Sequence, residues 1–196
     1  MAVSTSSRNE RLLCTHVPPS STRTPGTLLF AWRNNIDNVR DIYTLRGPAL
    51  TTPLRDMVQA SHTTWQAFVC PQDGPRLGTL QGDPLITWAD PTSGAWTAYV
   101  GRSNDDGVTW TEQAAVGLGG LHHYPTLATS DAGVWLALTA DGVGTWLFSP
   151  DARGFQVQVE AATTGERFDQ PHVEARGAAA YAAGVNAWGE AWLRPL

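Results

Sequence analysis

Few side chains in this sequence are grouped in ways that could do chemistry. His122 and His123 adjoin, with Tyr124 beside them. Paired histidines can ligate a metal, yet no Cys, Asp or Glu set with ligand spacing accompanies these two. They read as loop histidines, and neither a metal nor a cofactor is expected. A phenol such as Tyr124 attacks only where a carboxylate takes its proton, because its free pKa is about 10. Tyr124 precedes Pro125 and reads equally as a packing residue at a strand entry. Asp73, before Gly74-Pro75, is a good turn former in its own right. The densest polar group is Ser103-Asn104-Asp105-Asp106-Gly107-Val108-Thr109-Trp110. The short oxygens of Ser103 and Asp105 can bond nearby backbone N–H groups and hold a turn. Gly107 tolerates the positive φ such a turn needs, and Trp110 can anchor it against apolar neighbours. No base is paired with a nucleophile in this stretch, so it reads as a hairpin fastener.

The elements that would position these residues are short strands. The chain has 196 residues, enough for one domain with a sizeable core. Nine Trp and nineteen Gly suit an all-β protein with many turns. The net charge is −5, and all thirteen basic residues are Arg, without a cluster, so nucleic acid is not an expected partner. No window approaches the eighteen apolar residues of a membrane span. Residues 1–10 are polar and show no signal-peptide core, which leaves the compartment open. Cys14 and Cys70 make neither a disulfide framework nor a metal site, and could pair only if the fold joins them.

Residues 1–26, rich in Ser, Thr, Pro and Arg, read as a flexible lead-in that could contribute one strand. Beyond them, apolar runs alternate with turns and no helical stripe is convincing. Residues 57–68 come closest, but His62, Thr63 and Thr64 interrupt the pattern. Internal repetition narrows the architecture. Pro75-Arg76-Leu77, Pro125-Thr126-Leu127 and Pro171-His172-Val173 recur at intervals of 50 and 46 residues, each followed by a turn and an apolar run. Such a period with four strands per unit is expected of propeller blades. The blades are placed at about 27–60, 74–116, 124–160 and 169–196, the last one strand short. The expected fold is therefore an all-β propeller of four-stranded antiparallel blades, about four in number.

The stretch Ser103–Trp110 reads S-x-D-x-G-x-T-W, the Asp-box, and the chain resembles the sialidase-like BNR/Asp-box propeller family in its bacterial exo-sialidase-like branch. Phe30-Ala31-Trp32-Arg33-Asn34-Asn35 with Val39–Tyr43, and Cys70-Pro71-Gln72-Asp73-Gly74-Pro75, carry the rest of the likeness. Sialidases have six blades, so this chain is partial by comparison, and their Arg-Ile-Pro motif is absent. The resemblance implies a glycoside hydrolase acting on acidic or related sugars, an exo-glycosidase whose partner is a carbohydrate or glycoconjugate. It also implies secreted or cell-envelope relatives. A non-catalytic glycan- or protein-binding propeller, or an inactive fragment, is the alternative. Open blade edges offer a route to self-association.

The Asp-box marks one end of the strands, and the resemblance puts the active site at the other. It implies Tyr124 as nucleophile, Glu166 as its partner, and Asp73 or Asp169 as acid/base. Arg33, Arg40 and Arg167, with His123 and Asn186, become candidate substrate ligands. Ser103, Asp105, Gly107 and Trp110 are structural on this reading. Asp41 and Asp90 fall on the same face without an assigned role, and Arg33 and Arg40 read as surface partners of Asp37 or Asp41 across the hairpin.

Overall fold

The computed structural model describes residues 20–24, 27–47, 56–68, 71, 73–114, 122–140, 143–159, 171–185 and 190–196. These residues form four antiparallel sheets in chain order. The first holds β1 (Ser20–Thr24), β2 (Thr27–Arg33), β3 (Ile42–Gly47) and β4 (Val58–Gln59). The second holds β5 (Arg76–Leu80), β6 (Asp83–Asp90), β7 (Thr97–Arg102) and β8 (Thr111–Ala114). The third holds β9 (His122–Ser130), β10 (Gly133–Ala140), β11 (Val143–Ser149) and β12 (Gln156–Val159). The fourth has three strands, β13 (His172–Arg176), β14 (Ala179–Val185) and β15 (Ala191–Pro195). Within each sheet the strands pair in sequence order, which makes every connection a hairpin. No helix among the described residues is long and apolar enough to cross a membrane.

The sheets stack around the edge made by their first strands. β1 contacts β5, β5 contacts β9, and β9 contacts β13. Side-chain alternation explains the stacking, since successive residues of a strand face opposite ways. In β10, Val134, Leu136 and Leu138 pack toward the second sheet, while Trp135 and Ala137 pack toward the fourth. In β6, Leu85 joins the core shared with the third sheet, and Ile86 and Trp88 join the core shared with the first. Central strands buried on both faces read as largely apolar runs: Val134–Leu138 in β10 is unbroken, and Leu85–Ala89 in β6 is interrupted only by Thr87. Close approach is local as well: a Cβ on Gly78 of β5 would collide with Leu127 of β9.

The N-terminal segment supplies one strand: Ser20–Thr24 is the first strand of the first sheet, paired with β2 from Ser20↔Ala31 to Thr24↔Thr27. A Ser/Thr strand carries no apolar alternation, so the sequence pattern does not mark it. The lead-in up to residue 19, both cysteines and the connections at 115–121, 160–170 and 186–189 lie outside the described residues.

At the box end of the second sheet, Ser103 Oγ accepts from Gly107 N at 2.7 Å and donates to Asp105 Oδ1 at 2.8 Å. Asp105 accepts from Thr109 N at 2.8 Å and from Thr109 Oγ1 at 2.7 Å. Gly107 has φ of 86°, and Trp110 Nε1 donates to Thr44 Oγ1 at 3.1 Å, tying this turn to the first sheet.

Candidate functional site

The opposite end of the strands collects a different kind of side chain. Arg33 ends β2, Asp41 precedes β3, Asp73 precedes β5, Asp90 ends β6, and His123 and Tyr124 lie in the first turnout of β9. Antiparallel pairing brings all these positions to one end of the sheets.

Three aspartates anchor the group, and all are buried. Asp41 Oδ1 accepts from Ser61 Oγ at 3.0 Å, Thr63 Oγ1 at 3.4 Å and Thr64 N at 3.0 Å, and its Oδ2 accepts from Gln59 Nε2 at 2.8 Å. Asp90 Oδ2 accepts from Thr63 Oγ1 at 2.7 Å and Trp88 Nε1 at 3.2 Å, and its Oδ1 accepts from Thr92 N at 3.0 Å. One hydroxyl, Thr63 Oγ1, therefore lies within reach of two carboxylates. Asp73 Oδ2 lies 3.3 Å from His123 Nδ1, and the Asp73 carboxylate also takes the backbone N–H of Tyr124. Burial pushes Asp73 above the usual carboxylate range, against the pull of His123, Tyr124 N and Arg33. Asp41 is raised by the same cause, opposed by its hydroxyl and backbone donors.

Two of the seven non-glycine residues with positive φ among the described residues serve these carboxylates. Thr64 has φ of 54° and Tyr124 has φ of 52°, left-handed values that a β-branched or aromatic residue adopts at a cost. Both donate their backbone N–H to a site aspartate, Thr64 to Asp41 and Tyr124 to Asp73. At Tyr124 the cause is a bulge. The register of β9 against β10 runs Thr126↔Ala137 and then His123↔Thr139, so Tyr124 and Pro125 stand opposite Leu138 alone. A bulge re-aims a strand's side chains and N–H groups, and this one aims an N–H at Asp73.

Aromatic rings border the aspartates. Trp65 and Trp96 meet edge to face at 5.1 Å between centroids. His123 lies 4.8 Å from Trp96 and 6.0 Å from Tyr124, centroid to centroid. All four rings are partly exposed.

Of the residues singled out in the sequence, Arg33, Arg40, Asp73, His123 and Tyr124 come together here. Glu166, Arg167, Asp169 and Asn186 lie outside the described residues. Arg33 is only 1 % exposed, which corrects its expected role as a substrate ligand. Its Nε donates to the Asp73 carbonyl at 3.1 Å, one terminal nitrogen to the Arg40 carbonyl at 2.8 Å, and the other to the Ala89 carbonyl at 2.6 Å. A guanidinium spent on three carbonyls has its fork turned into the protein. Arg40 is also buried and donates from Nε to the Ala67 carbonyl at 2.9 Å. Asp41 is not a surface partner of these arginines across the hairpin: it is buried, and its four donors are hydroxyl, amide and backbone groups.

Trp65, Trp96, Thr63 and Thr64 were not singled out for chemistry. Their only sequence signal is aromatic and hydroxyl residues in connections on the site face. Among the described residues no group of three or more His, Cys, Asp or Glu is arranged to hold a metal ion.

No family model matches the sequence, and no curated protein matches it significantly. Solved structures do match. The α-L-arabinofuranosidase Arb93A from Fusarium graminearum superposes with a TM-score of 0.55 at 16% identity, over 91% of this chain and 60% of that one. Zg3597, a family 117 glycoside hydrolase from Zobellia galactanivorans, gives 0.54 at 10% identity over 90% and 59%. The family 32 β-fructofuranosidase BmSUC1 of Bombyx mori gives 0.51 at 10% identity over 89% and 43%. What they share with this chain is the fold, a β-propeller of the kind found in glycoside hydrolases. The chain spans about three fifths of the length of the first two. The sialidase-like branch suggested by the Asp-box is not what these structures represent.

Proposed function

We propose that this face binds a carbohydrate and that the complete site hydrolyses a terminal glycosidic bond. The observation that supports the reading is the pair Asp41 and Asp73. Both are buried, both receive a backbone N–H from a residue held at left-handed φ, and both stand beside an aromatic wall. Strain of this kind persists where surrounding structure over-determines it, and it clusters at working sites. Glycoside hydrolysis needs two carboxyl groups in different protonation states. Asp73 suits the proton donor, because burial keeps it protonated to higher pH and its partner His123 reaches solvent with a third of its side chain. Asp41 suits the second carboxyl, because four donors surround its two oxygens and oppose the rise that burial imposes on it. Trp65 and Trp96 offer the flat apolar faces that line small-molecule sites.

The sialidase-type version needs Tyr124 as nucleophile, Glu166 beside it, and guanidinium groups free for a sugar carboxylate. Arg33 supplies no such group, since its donors are spent on carbonyls. An uncharged sugar therefore suits the described part of the site better than an acidic one. The Arb93A structure is that of an arabinofuranosidase, which makes an arabinofuranoside a rational first probe.

The test is a panel of 4-nitrophenyl glycosides, neutral sugars and a sialoside together, with wild type and Asp73→Asn. The expected result is turnover of a neutral glycoside that falls about 10²- to 10⁴-fold in Asp73→Asn, the usual worth of a general acid. Binding without turnover supports a glycan-binding propeller instead. Turnover confined to the sialoside restores the acidic-sugar reading.

A further inference from the structure

We propose that Arg33 is the positioning residue of this site: one buried guanidinium fixes Asp41, Asp73 and Asp90 relative to one another by gripping the backbone at or immediately before each. The three carbonyls it holds belong to Asp73 itself, to Arg40 just before Asp41, and to Ala89 just before Asp90. They come from three separate segments: the β2–β3 connection, the chain entering β5, and the end of β6. No other described side chain donates to all three segments. Trp65 covers the guanidinium, with its ring centroid 5.2 Å from Cζ, and shields these bonds from water.

The residue type is demanded by the geometry. A guanidinium carries five N–H donors in a rigid planar fork, so it reaches three carbonyls in different directions at once. An ammonium is a point charge on a flexible stem and cannot hold the same three in register. The charge matters too. Burial lowers Arg33 to about 10, opposed by Asp90, Asp73 and Asp41 in that order, so it stays protonated at neutral pH. It is the internal counter-ion of the three carboxylates. The other charged groups bearing on this cluster are Arg40, which opposes the Arg33 charge, and Arg76 and His123, which interact with Asp73.

The structural part stands without any activity, while its catalytic consequence rests on the hydrolase reading above. The experiment therefore has two arms. The first is a carboxyl ¹³C NMR titration of Asp41, Asp73 and Asp90 in wild type, Arg33→Lys and Arg33→Gln. The second is the pH–rate profile on the glycoside turned over in the panel. Arg33→Gln removes the charge, and the midpoints of Asp41 and Asp73 are expected to rise. Arg33→Lys keeps the charge and loses the fork. It is expected to displace at least two of the three midpoints and to lower kcat about 100-fold, with KM changed less than about threefold, as misplacement of catalytic groups does. If Arg33→Gln fails to fold, Arg33→Lys carries the test alone. A folded Arg33→Lys protein with a lower Tm but wild-type midpoints and kcat overturns the proposal, because that pattern belongs to a fold staple. Failure of Arg33→Lys to fold overturns it as well. A wild type that hydrolyses nothing removes the hydrolase reading only; the titration then decides the role of Arg33 by the same midpoints.

Discussion

Two aspartate-centred turns sit at opposite ends of the same strands and use the same residue type for opposite purposes. Asp105, at the box end, is exposed and collects Thr109 N, Thr109 Oγ1 and the Ser103 hydroxyl. Those donors favour the carboxylate, and Asp105 lies at about 2, held down first by Thr109. Asp41 and Asp73, at the other end, also collect donors, but burial outweighs them and both lie above the usual range. Hydrogen bonds alone therefore do not decide the ionisation of a turn aspartate; access of water does. The box end closes a hairpin at low electrostatic cost. The site end holds carboxyls that burial raises above the usual range.

Arginine shows the same division. Arg46 at the box end donates to the Asp105 carbonyl at 3.4 Å from an exposed position, whereas Arg33 is buried under three carbonyls. The largest stability effect is expected from Arg33→Met, at about 3–5 kcal/mol by urea denaturation, because it leaves buried carboxylates uncompensated. Asp105→Ala is expected to cost about 1–2 kcal/mol, the worth of a lost turn-capping side chain, without altering turnover.

The pH dependence separates the two ends further. Asp105 has a folded pKa below its unfolded value, so its stabilisation is present above about 3.8 and is lost as pH falls toward about 2. Solvent screens this exposed group, and the slope in that window is expected to be shallow and to vanish in Asp105→Asn. Asp41 and Asp73 have raised folded values, so stability falls as pH rises from their unfolded pKa through the folded one. Replacing Asp73 by Asn is expected to remove part of that fall, read as Tm against pH.

Thr64→Gly sharpens the contrast from the side of strain. Glycine adopts φ of 54° without the steric cost, so a gain of about 1 kcal/mol is expected, with turnover reduced because Asp41 is held less firmly. The smallest effect is expected from Arg46→Ala, within about 0.5 kcal/mol, as for an exposed side chain with one long hydrogen bond. A cost for Arg46→Ala as large as that for Arg33→Met would abolish the distinction between the two ends.

The strands with strong apolar patterns could be read from the sequence, since β6 and β10 bury both faces and their composition shows it. Ser20–Thr24 could not, because a run of Ser and Thr shows no apolar alternation, although its backbone pairs with β2. The box directed attention to the opposite end of the strands, where Asp41, Asp73 and Asp90 gather. Residue type brought Asp73, His123 and Tyr124 into consideration, yet the direction of a side chain is not written in its type. Arg33 illustrates this: its charge suggested a substrate ligand, and its fork points inward. Asp41 and Asp90 were underrated because their depth comes from packing between sheets. Thr64 and Tyr124 owe their left-handed backbone to a loop path and a bulge that no local pattern in the sequence announces.

The account depends most on Asp73 as the proton donor. The direct measurement is kcat for wild type and Asp73→Ala on aryl glycosides of one sugar, with leaving groups ranging from dinitrophenol to phenol. Protonation matters little for an activated leaving group and greatly for a poor one. The predicted result is a loss of about 10²- to 10⁴-fold on the phenyl glycoside and a much smaller loss on the dinitrophenyl glycoside. Equal losses across the series, or no loss at all, would contradict the role given to Asp73.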